Sequence, residues 1–443
     1  MSRPQPLSGF PELLPRQRIV EQQVVDHLRR AFELHGFANL QTRAVEPMDQ
    51  LLRKGETSKE VYVLRRLQAD DTEATGDDAL GLHFDLTVPF ARYVLENAGK
   101  LNFPFRRYQI QQVWRGERPQ SGRYREFWQA DIDIVDLGEL PAHYEVEVAL
   151  VVADALRGLP LPKLRMHVNN RKLSQGFYQG LGIRDTEEAL RIIDKLDKIG
   201  HDAVAKLLID SVDATPEQAE ACLKLASIST ADTSFVEEIR ALGVTDPLLE
   251  EGLSELAAVV AAVAEQAPGF VVADMKIARG LDYYTGTVYE VFIEGQEHLG
   301  SVCSGGRYDK LASDGKHTYP GVGLSIGVSR LLVPLLQSGA LDASREVPTC
   351  VLVALANEDE RPAANALAQR LRGRGVPTQV SPSAAKFGKQ IKFADKRGIP
   401  FVLFTNDEGT QMKDIRSGDQ ATVDVDAWEP PAEDLHPTIV AAR

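Results

Sequence analysis

The chain has 443 residues, 43% of them hydrophobic and 26% charged, with 50 lysines and arginines against 64 aspartates and glutamates, a formal net charge of −14. That length allows two or three domains with buried cores, the acidic balance argues against a protein that coats nucleic acid non-specifically while leaving room for a local basic patch, and the most apolar run, Leu256 to Ala264, is far too short to span a membrane. Three cysteines far apart in sequence (Cys222, Cys303, Cys350) argue against a disulfide framework or a zinc site and for a reducing, cytoplasmic compartment, and the N-terminus leads into no secretory signal.

Residues 16–35 carry Ile19, Val24, Leu28, Ala31 and Phe32 near helical spacing, and Gly36 can end the helix. Residues 37–52 read as a strand and a connection. Val61 to Leu67 is strand-like, and Ala69 to Gly76 reads as a solvated loop. In Leu82-His-Phe-Asp-Leu-Thr-Val-Pro-Phe-Ala-Arg92, Asp85 and Thr87 either share one side of a strand and receive an ammonium group, or cap a helix running to Asn97. The helix reading is favoured on the residues alone.

The most informative stretch runs from Arg106 to Asp136. Both flanks alternate and are rich in aromatic and β-branched residues, while Gly116, Pro119 and Ser121-Gly122 mark a turn. This predicts a hairpin whose loop is too long for a tight two-residue turn. On its second strand Gln129, Asp131 and Asp133 share one face; Ala130, Ile132 and Ile134 take the other, toward a helical layer. The stretch holds six arginines (Arg106, Arg107, Arg115, Arg118, Arg123, Arg125). Guanidinium forks fit phosphate oxygens, and carboxylates on the neighbouring strand fit an amine-bearing ligand. A solvated hairpin with surface ion pairs is the plainer alternative.

Glu139 to Leu156 reads as a helix and Leu164 to Val168 as a strand. From Leu173 to about Ala264 the pattern is helical, an insertion between strands. Residues 274–294 return to β character, with Arg279-Gly280 and Thr285-Gly286 flanking Tyr283 and Tyr284; alternation sends the two tyrosines to opposite faces. In Ser301 to Lys310 a glycine pair opens a turn, and Gly321 to Leu332 runs strand into helix with Arg330 early in the helix. A boundary falls near Gln337 to Val347. Beyond it strand, helix, strand, helix (Ala385 to Arg397) and strand follow, a small α/β domain. Its second helix puts Lys389, Lys392 and Lys396 on one side.

Taken in order, Asp85-Leu-Thr87, the Arg115 to Asp133 hairpin, Arg279-Gly-Leu-Asp-Tyr-Tyr284, Gly305-Gly-Arg-Tyr-Asp309 and Gly323-x-x-x-Gly-x-x-Arg330 resemble the class II aminoacyl-tRNA synthetases, and within them the histidyl-tRNA synthetases. The resemblance covers nearly the whole chain. It implies an α+β fold: a catalytic domain over residues 1–340 with an antiparallel sheet flanked by helices and an insertion over about 173–264, then an α/β anticodon-binding domain over 345–443. It further implies a homodimer that uses ATP, Mg2+ and L-histidine to charge tRNA(His), with no protein-only metal site. By resemblance Arg115, Arg279 and Arg330 are catalytic, Arg115 at the α-phosphate and Arg330, with Glu117, at the rest of a bent ATP. Asp85, Thr87 and Gln129 receive the substrate ammonium, and Asp133, Tyr283 and Tyr284 form the imidazole pocket. Arg118, Gln120 and Arg123 lie where the family meets the tRNA acceptor end. The chemistry fits these roles: the carboxylate nucleophile is already an anion and attacks a polyanion, so fixed cations must offset repulsion.

Two departures stand out. The dimer strand of the family commonly carries Thr-Pro, where this chain reads Thr42-Arg43, and the imidazole carboxylate is often glutamate, where this chain has Asp133, as in the archaeal and eukaryotic branch. The rival is the synthetase-like regulatory subunit of ATP phosphoribosyltransferase, a histidine-sensing module that generally lacks the anticodon domain and erodes the catalytic arginines; this chain keeps both.

Overall fold

In the computed structural model, residues 4–52, 60–66, 79–277, 283–407 and 409–441 are described. The chain forms two compact units, Met1–Pro11 with Val25–Pro334, and Glu12–Val24 with Leu335–Arg443.

The first unit is built on a nine-stranded sheet. Its strands, in chain order, are β1 (Ala38–Asn39), β2 (Phe105–Trp114), β3 (Glu126–Val135), β4 (Leu164–Asn170), β5 (Ser229–Thr230), β6 (Val271–Asp274), β7 (Tyr284–Ile293), β8 (Cys303–Tyr308) and β9 (Gly321–Gly327). Across the sheet the order is β1-β2-β3-β9-β8-β7-β4-β6-β5. The central run from β2 to β4 is antiparallel throughout; only β1 with β2 and β4 with β6 pair in parallel. Alternation gives each central strand an apolar side. Ala130, Ile132 and Ile134 of β3 and Val322, Leu324 and Ile326 of β9 are buried. Helix α1 (Pro15–Leu34) stacks Phe32 on Tyr108 of β2. Helices α2 (Thr87–Asn97) and α3 (His143–Arg157) complete the layers, and α4 (Val328–Gln337) follows directly from β9. Pro141 delays the start of α3 beyond the expected Glu139.

The insertion is helical as expected, from Arg171 to Gln266. It is interrupted once, by β5, which joins the edge of the main sheet beside β6. Periodicity could not reveal a two-residue strand. The expected loop over 69–76 lies outside the described residues, as does Leu67; the strand before it is confined to Val63–Leu64.

The second unit holds a five-stranded sheet of β10 (Val351–Val353), β11 (Thr378–Val380), β12 (Phe401–Asn406), β13 (Gly409–Asp414) and β14 (Gln420–Thr422), ordered β11-β10-β12-β13-β14. The expected alternation supplies its parallel half, with α5 (Arg361–Gly373) and α6 (Phe387–Lys396) packed on it. An antiparallel half, β13 and β14, was not foreseen, because its short polar strands carry little apolar alternation. Helix α6 lays Phe387, Ile391 and Ala394 against Val402 and Phe404 and leaves Lys389, Lys392 and Lys396 exposed.

Candidate active site

The side of the sheet opposite the apolar layer carries polar rows in cross-strand register. Arg107 of β2 pairs with Asp133 of β3, Gln109 with Asp131, and Gln111 with Gln129. On the other side of β3, Gly323, Ser325 and Gly327 of β9 stand beside Asp133, Asp131 and Gln129. Gly306 and Ser304 of β8 come next.

The glycines make room over this floor. A Cβ at Gly323 would sit 2.1 Å from Asp133 Oδ1, and one at Gly306 would press within 3.0 Å of the Tyr284 ring. The pair Gly305-Gly306 therefore does not open a turn, as the sequence was read, but lies inside β8. At Gly305 a Cβ would strike the Gly323 carbonyl oxygen at 2.1 Å, so the strands approach through bare backbone.

Asp133 is 2% exposed and already holds two donors: Arg107 at 2.5 Å and the Tyr308 hydroxyl at 2.7 Å. Arg107 is fully buried, its guanidinium 4.4 Å from the centre of the Phe90 ring and its Nη2 donating to the Leu86 carbonyl. The tyrosines differ from the alternation argument. The strand begins only at Tyr284, Tyr283 belongs to the preceding turn, and their rings meet edge to face at 4.7 Å in one cluster with Tyr308. Burial, the largest cause, and neighbouring negative charge keep both phenols protonated.

Asp85 sits at the start of α2 and accepts from the Val88 amide at 3.1 Å; Thr87 is the first residue of that helix. The helix alternative is thus the one observed, and it leaves the carboxylate at the edge of the polar floor, its charge acting on Tyr284 and Asp131. Gln129 donates through Nε2 to the Ser325 hydroxyl at 2.5 Å, while its buried Oε1 has no partner among the described residues.

Beside Gln129 opens a cleft of about 480 Å³, lined among others by Arg115, Glu117, Tyr124, Ser304 and Arg330. Arg115 anchors Nε on the Phe84 carbonyl and faces the Phe127 ring at 5.1 Å. Arg330 is tied by Nε to the Gly122 carbonyl and by Nη1 to that of Ser301, both at 2.8 Å. Burial and then the charges of Arg115 and Arg123 lower its pKa; Glu117 and Glu290 oppose this. Cations crowded at partial burial are poised for a polyanion. The hairpin loop is long, as expected, running from 115 to 125 between the strands, and at its tip Gln120 and Arg123 exchange backbone hydrogen bonds around Ser121-Gly122, with Gly122 at φ +72°. Arg118, Gln120 and Arg123 on that loop are exposed. Arg279 lies outside the described residues.

The sequence reading missed four polar groups here: Arg107, Tyr308, Asp131 and Ser325. Asp131 was placed on the right face but given no role. Burial, above all, pushes its pKa up to about 7, against the pull of Arg107. The Arg307 and Asp309 of the Gly305 to Asp309 motif turn elsewhere. Arg307 bridges Glu145 of α3 and Asp309, and Thr285 donates to Asp309, bracing the irregular start of β7.

The family model described as Histidyl-tRNA synthetase matches residues 9–331, and that of the Anticodon binding domain matches residues 349–429. Proteins named histidine–tRNA ligase from Cutibacterium acnes and from Micrococcus luteus are each 59% identical, the first over 99% of both chains and the second over 100% of both. The crystal structure of histidyl-tRNA synthetase from a Nostoc species superposes with a TM-score of 0.85 at 32% identity, covering 96% of this chain and 98% of that one.

Proposed function

The chain belongs to the histidyl-tRNA synthetase family, and from that premise we propose that it activates L-histidine with ATP and transfers it to tRNA(His). In the first step a carboxylate oxygen of histidine attacks the α-phosphorus, the bond to the β-phosphate breaks, and diphosphate leaves. In the second a hydroxyl of the terminal tRNA ribose attacks the carbonyl carbon, and AMP leaves.

One observation carries the site assignment. A single strand, β3, presents Gln129 Oε1, without a partner among the described residues, and Asp133 four residues on, beside a cleft lined by Arg115 and Arg330. That order matches an amino acid lying along the strand, its ammonium at Gln129 and its imidazole N–H at Asp133, with its carboxylate toward the cations. Asp85 and Thr87 supply charge and a hydroxyl at the ammonium end; Tyr284, with Tyr283 against it, supplies the second contact to the ring. Arg107 and Tyr308 hold the Asp133 carboxylate in place. Arg115 at the α-phosphate and Arg330 at the β/γ end offset the repulsion between nucleophile and nucleotide, with Arg279 assigned to the α-phosphate from its motif. Glu117 stands at the mouth of the nucleotide cleft, and Arg118, Gln120 and Arg123 reach toward the tRNA acceptor end.

Magnesium would arrive with the nucleotide and relieve phosphate charge. Among the described residues no three acidic, histidine or cysteine side chains form a metal group, and phosphate oxygens and water would be its main ligands, with Glu117 and Glu290 the carboxylates whose charges act on Arg330. We assign residues 1–340 to catalysis, including the insertion over 173–264, and 345–443 to anticodon binding, and we propose a cytoplasmic homodimer. No helix among the described residues is long and apolar enough to cross a membrane.

ATP–pyrophosphate exchange tried with each amino acid tests the first step. Histidine alone is expected to support it, and Arg330→Ala should reduce it by roughly 10²-fold or more. Exchange with another amino acid, or none with histidine, would overturn the reading.

A further inference from the structure

Gln129 has one feature that its own position on β3 does not explain. A primary amide can offer a substrate either its oxygen or its NH2 group, and only the oxygen suits an ammonium. The orientation is set by what holds the other end. Here that is Ser325 Oγ, 2.5 Å from Gln129 Nε2. Ser325 lies directly across from Asp131 in the β3–β9 pairing, and its hydroxyl favours the ionised form of the Asp131 carboxylate.

A serine hydroxyl has a single proton. In its ionised form the Asp131 carboxylate only accepts and takes that proton, so Ser325 must accept from its other neighbour. Gln129 then has to turn its NH2 group to Ser325 and leave Oε1 toward the pocket, the arrangement observed. We propose that Asp131 is a positioning residue for substrate recognition, acting through the Ser325 hydroxyl to orient the Gln129 amide with its carbonyl oxygen toward the substrate ammonium. The inference rests on reading Gln129 as an ammonium acceptor.

Asp131 is 2% exposed and does not line the cleft, so it acts on substrate only through its neighbours. Burial above all, and then the charges of Asp133 and Asp85, oppose ionisation of Asp131, while the charge of Arg107 and the Ser325 hydroxyl favour it. An ammonium arriving at Gln129 adds positive charge to this group and favours the carboxylate form. With the chain of bonds cut, the amide is free to present its NH2 group, which faces the ammonium donor to donor.

Two probes separate recognition of the ammonium from general damage. Histidinol keeps ammonium and imidazole and lacks the carboxylate; imidazolepropionate keeps imidazole and carboxylate and lacks the ammonium. Their inhibition constants are measured in histidine-dependent pyrophosphate exchange by the full-length chain. Ser325→Ala and Asp131→Ala should each weaken histidinol by about tenfold or more, the scale of a charge-assisted hydrogen bond, and leave imidazolepropionate within about twofold. The double variant should be no worse than the poorer single, because both cut one chain of bonds. Ser325→Thr, which keeps the hydroxyl, should retain histidinol binding. Equal loss of both probes, additive losses, or unchanged histidinol binding in Ser325→Ala overturns the proposal. Gln129→Ala tells which premise failed. If it weakens histidinol while Ser325→Ala does not, the relay is wrong and the Gln129 reading stands. If it does not, the reading of Gln129 itself fails.

Discussion

Arg107 changes what a substitution at Asp133 would mean. A guanidinium with no exposure and an ion pair at 2.5 Å to a carboxylate of 2% exposure is a pair whose halves depend on each other. Asp133→Asn removes the charge opposite Arg107 and leaves a buried cation uncompensated, a loss on the order of 3 kcal/mol. The variant should therefore melt at lower temperature as well as bind histidine poorly; unchanged melting would mean that Arg107 finds its counter-charge elsewhere. Asp131 makes the opposite case. Its pKa is raised to about 7, chiefly by burial, whereas an unfolded aspartate titrates near 4. Between about pH 4 and pH 7 the folded chain thus holds a proton that the unfolded chain releases. That contribution to stability is full below about pH 4 and is lost as pH rises through about 7. Asp131→Asn cannot ionise, so its melting temperature should gain on that of the unaltered chain between pH 5 and pH 8. Glu290, also pushed up to about 7 by burial, should preserve part of the slope. A constant gap across that range would contradict the assignment of a proton to Asp131.

The hairpin shows how far the sequence could be read at the scale of elements. Alternation located both strands and put Gln129, Asp131 and Asp133 on one face, because that face is polar and the other apolar. It could not give the register. The tight turn joins Gln120 to Arg123, and extending that pairing inward would set Arg107 opposite Asp136. The strands instead pair Arg107 with Asp133, a slip absorbed in the loop. A shift of one residue reverses every face, so the Arg107–Asp133 pair was out of reach. The Gly305-Gly306 pair misled for a related reason. Glycine marks turns and close approaches alike, and only the neighbouring strand tells them apart. Gly305→Ala tests the close approach: its methyl would lie 2.1 Å from the Gly323 carbonyl oxygen, backbone that cannot rotate away. We expect a loss of a few kcal/mol, read as a clear drop in melting temperature, with pyrophosphate exchange reduced through displacement of β9. A variant of ordinary stability would mean that β8 and β9 have slack that their spacing does not suggest.

For the whole molecule, a formal net charge of −14 does not preclude a local basic face. Lys389, Lys392 and Lys396 stay exposed on α6, away from the buried Ala394 and the partly buried Phe387 and Ile391. The triple change of these lysines to glutamate in the full-length chain should raise the Michaelis constant for tRNA and flatten its salt dependence, as fewer phosphate contacts release fewer counterions. Pyrophosphate exchange should not change, since no residue assigned to adenylation lies in that unit. Equal charging by both proteins would remove α6 from the tRNA-binding face. The two-unit plan was legible because periodicity changes near residue 340. The second unit's antiparallel strands were not, and neither was the inclusion of Glu12–Val24 in that unit, because contacts so distant in sequence leave no local pattern. The central claim, that this chain joins histidine to tRNA through an adenylate, is tested most directly by charging. The chain is incubated with ATP, magnesium, total tRNA and each labelled amino acid in turn, and label in tRNA is counted. The account predicts label from histidine alone, with AMP and diphosphate formed alongside; histidine binding without any charging, or charging with another amino acid, would contradict it.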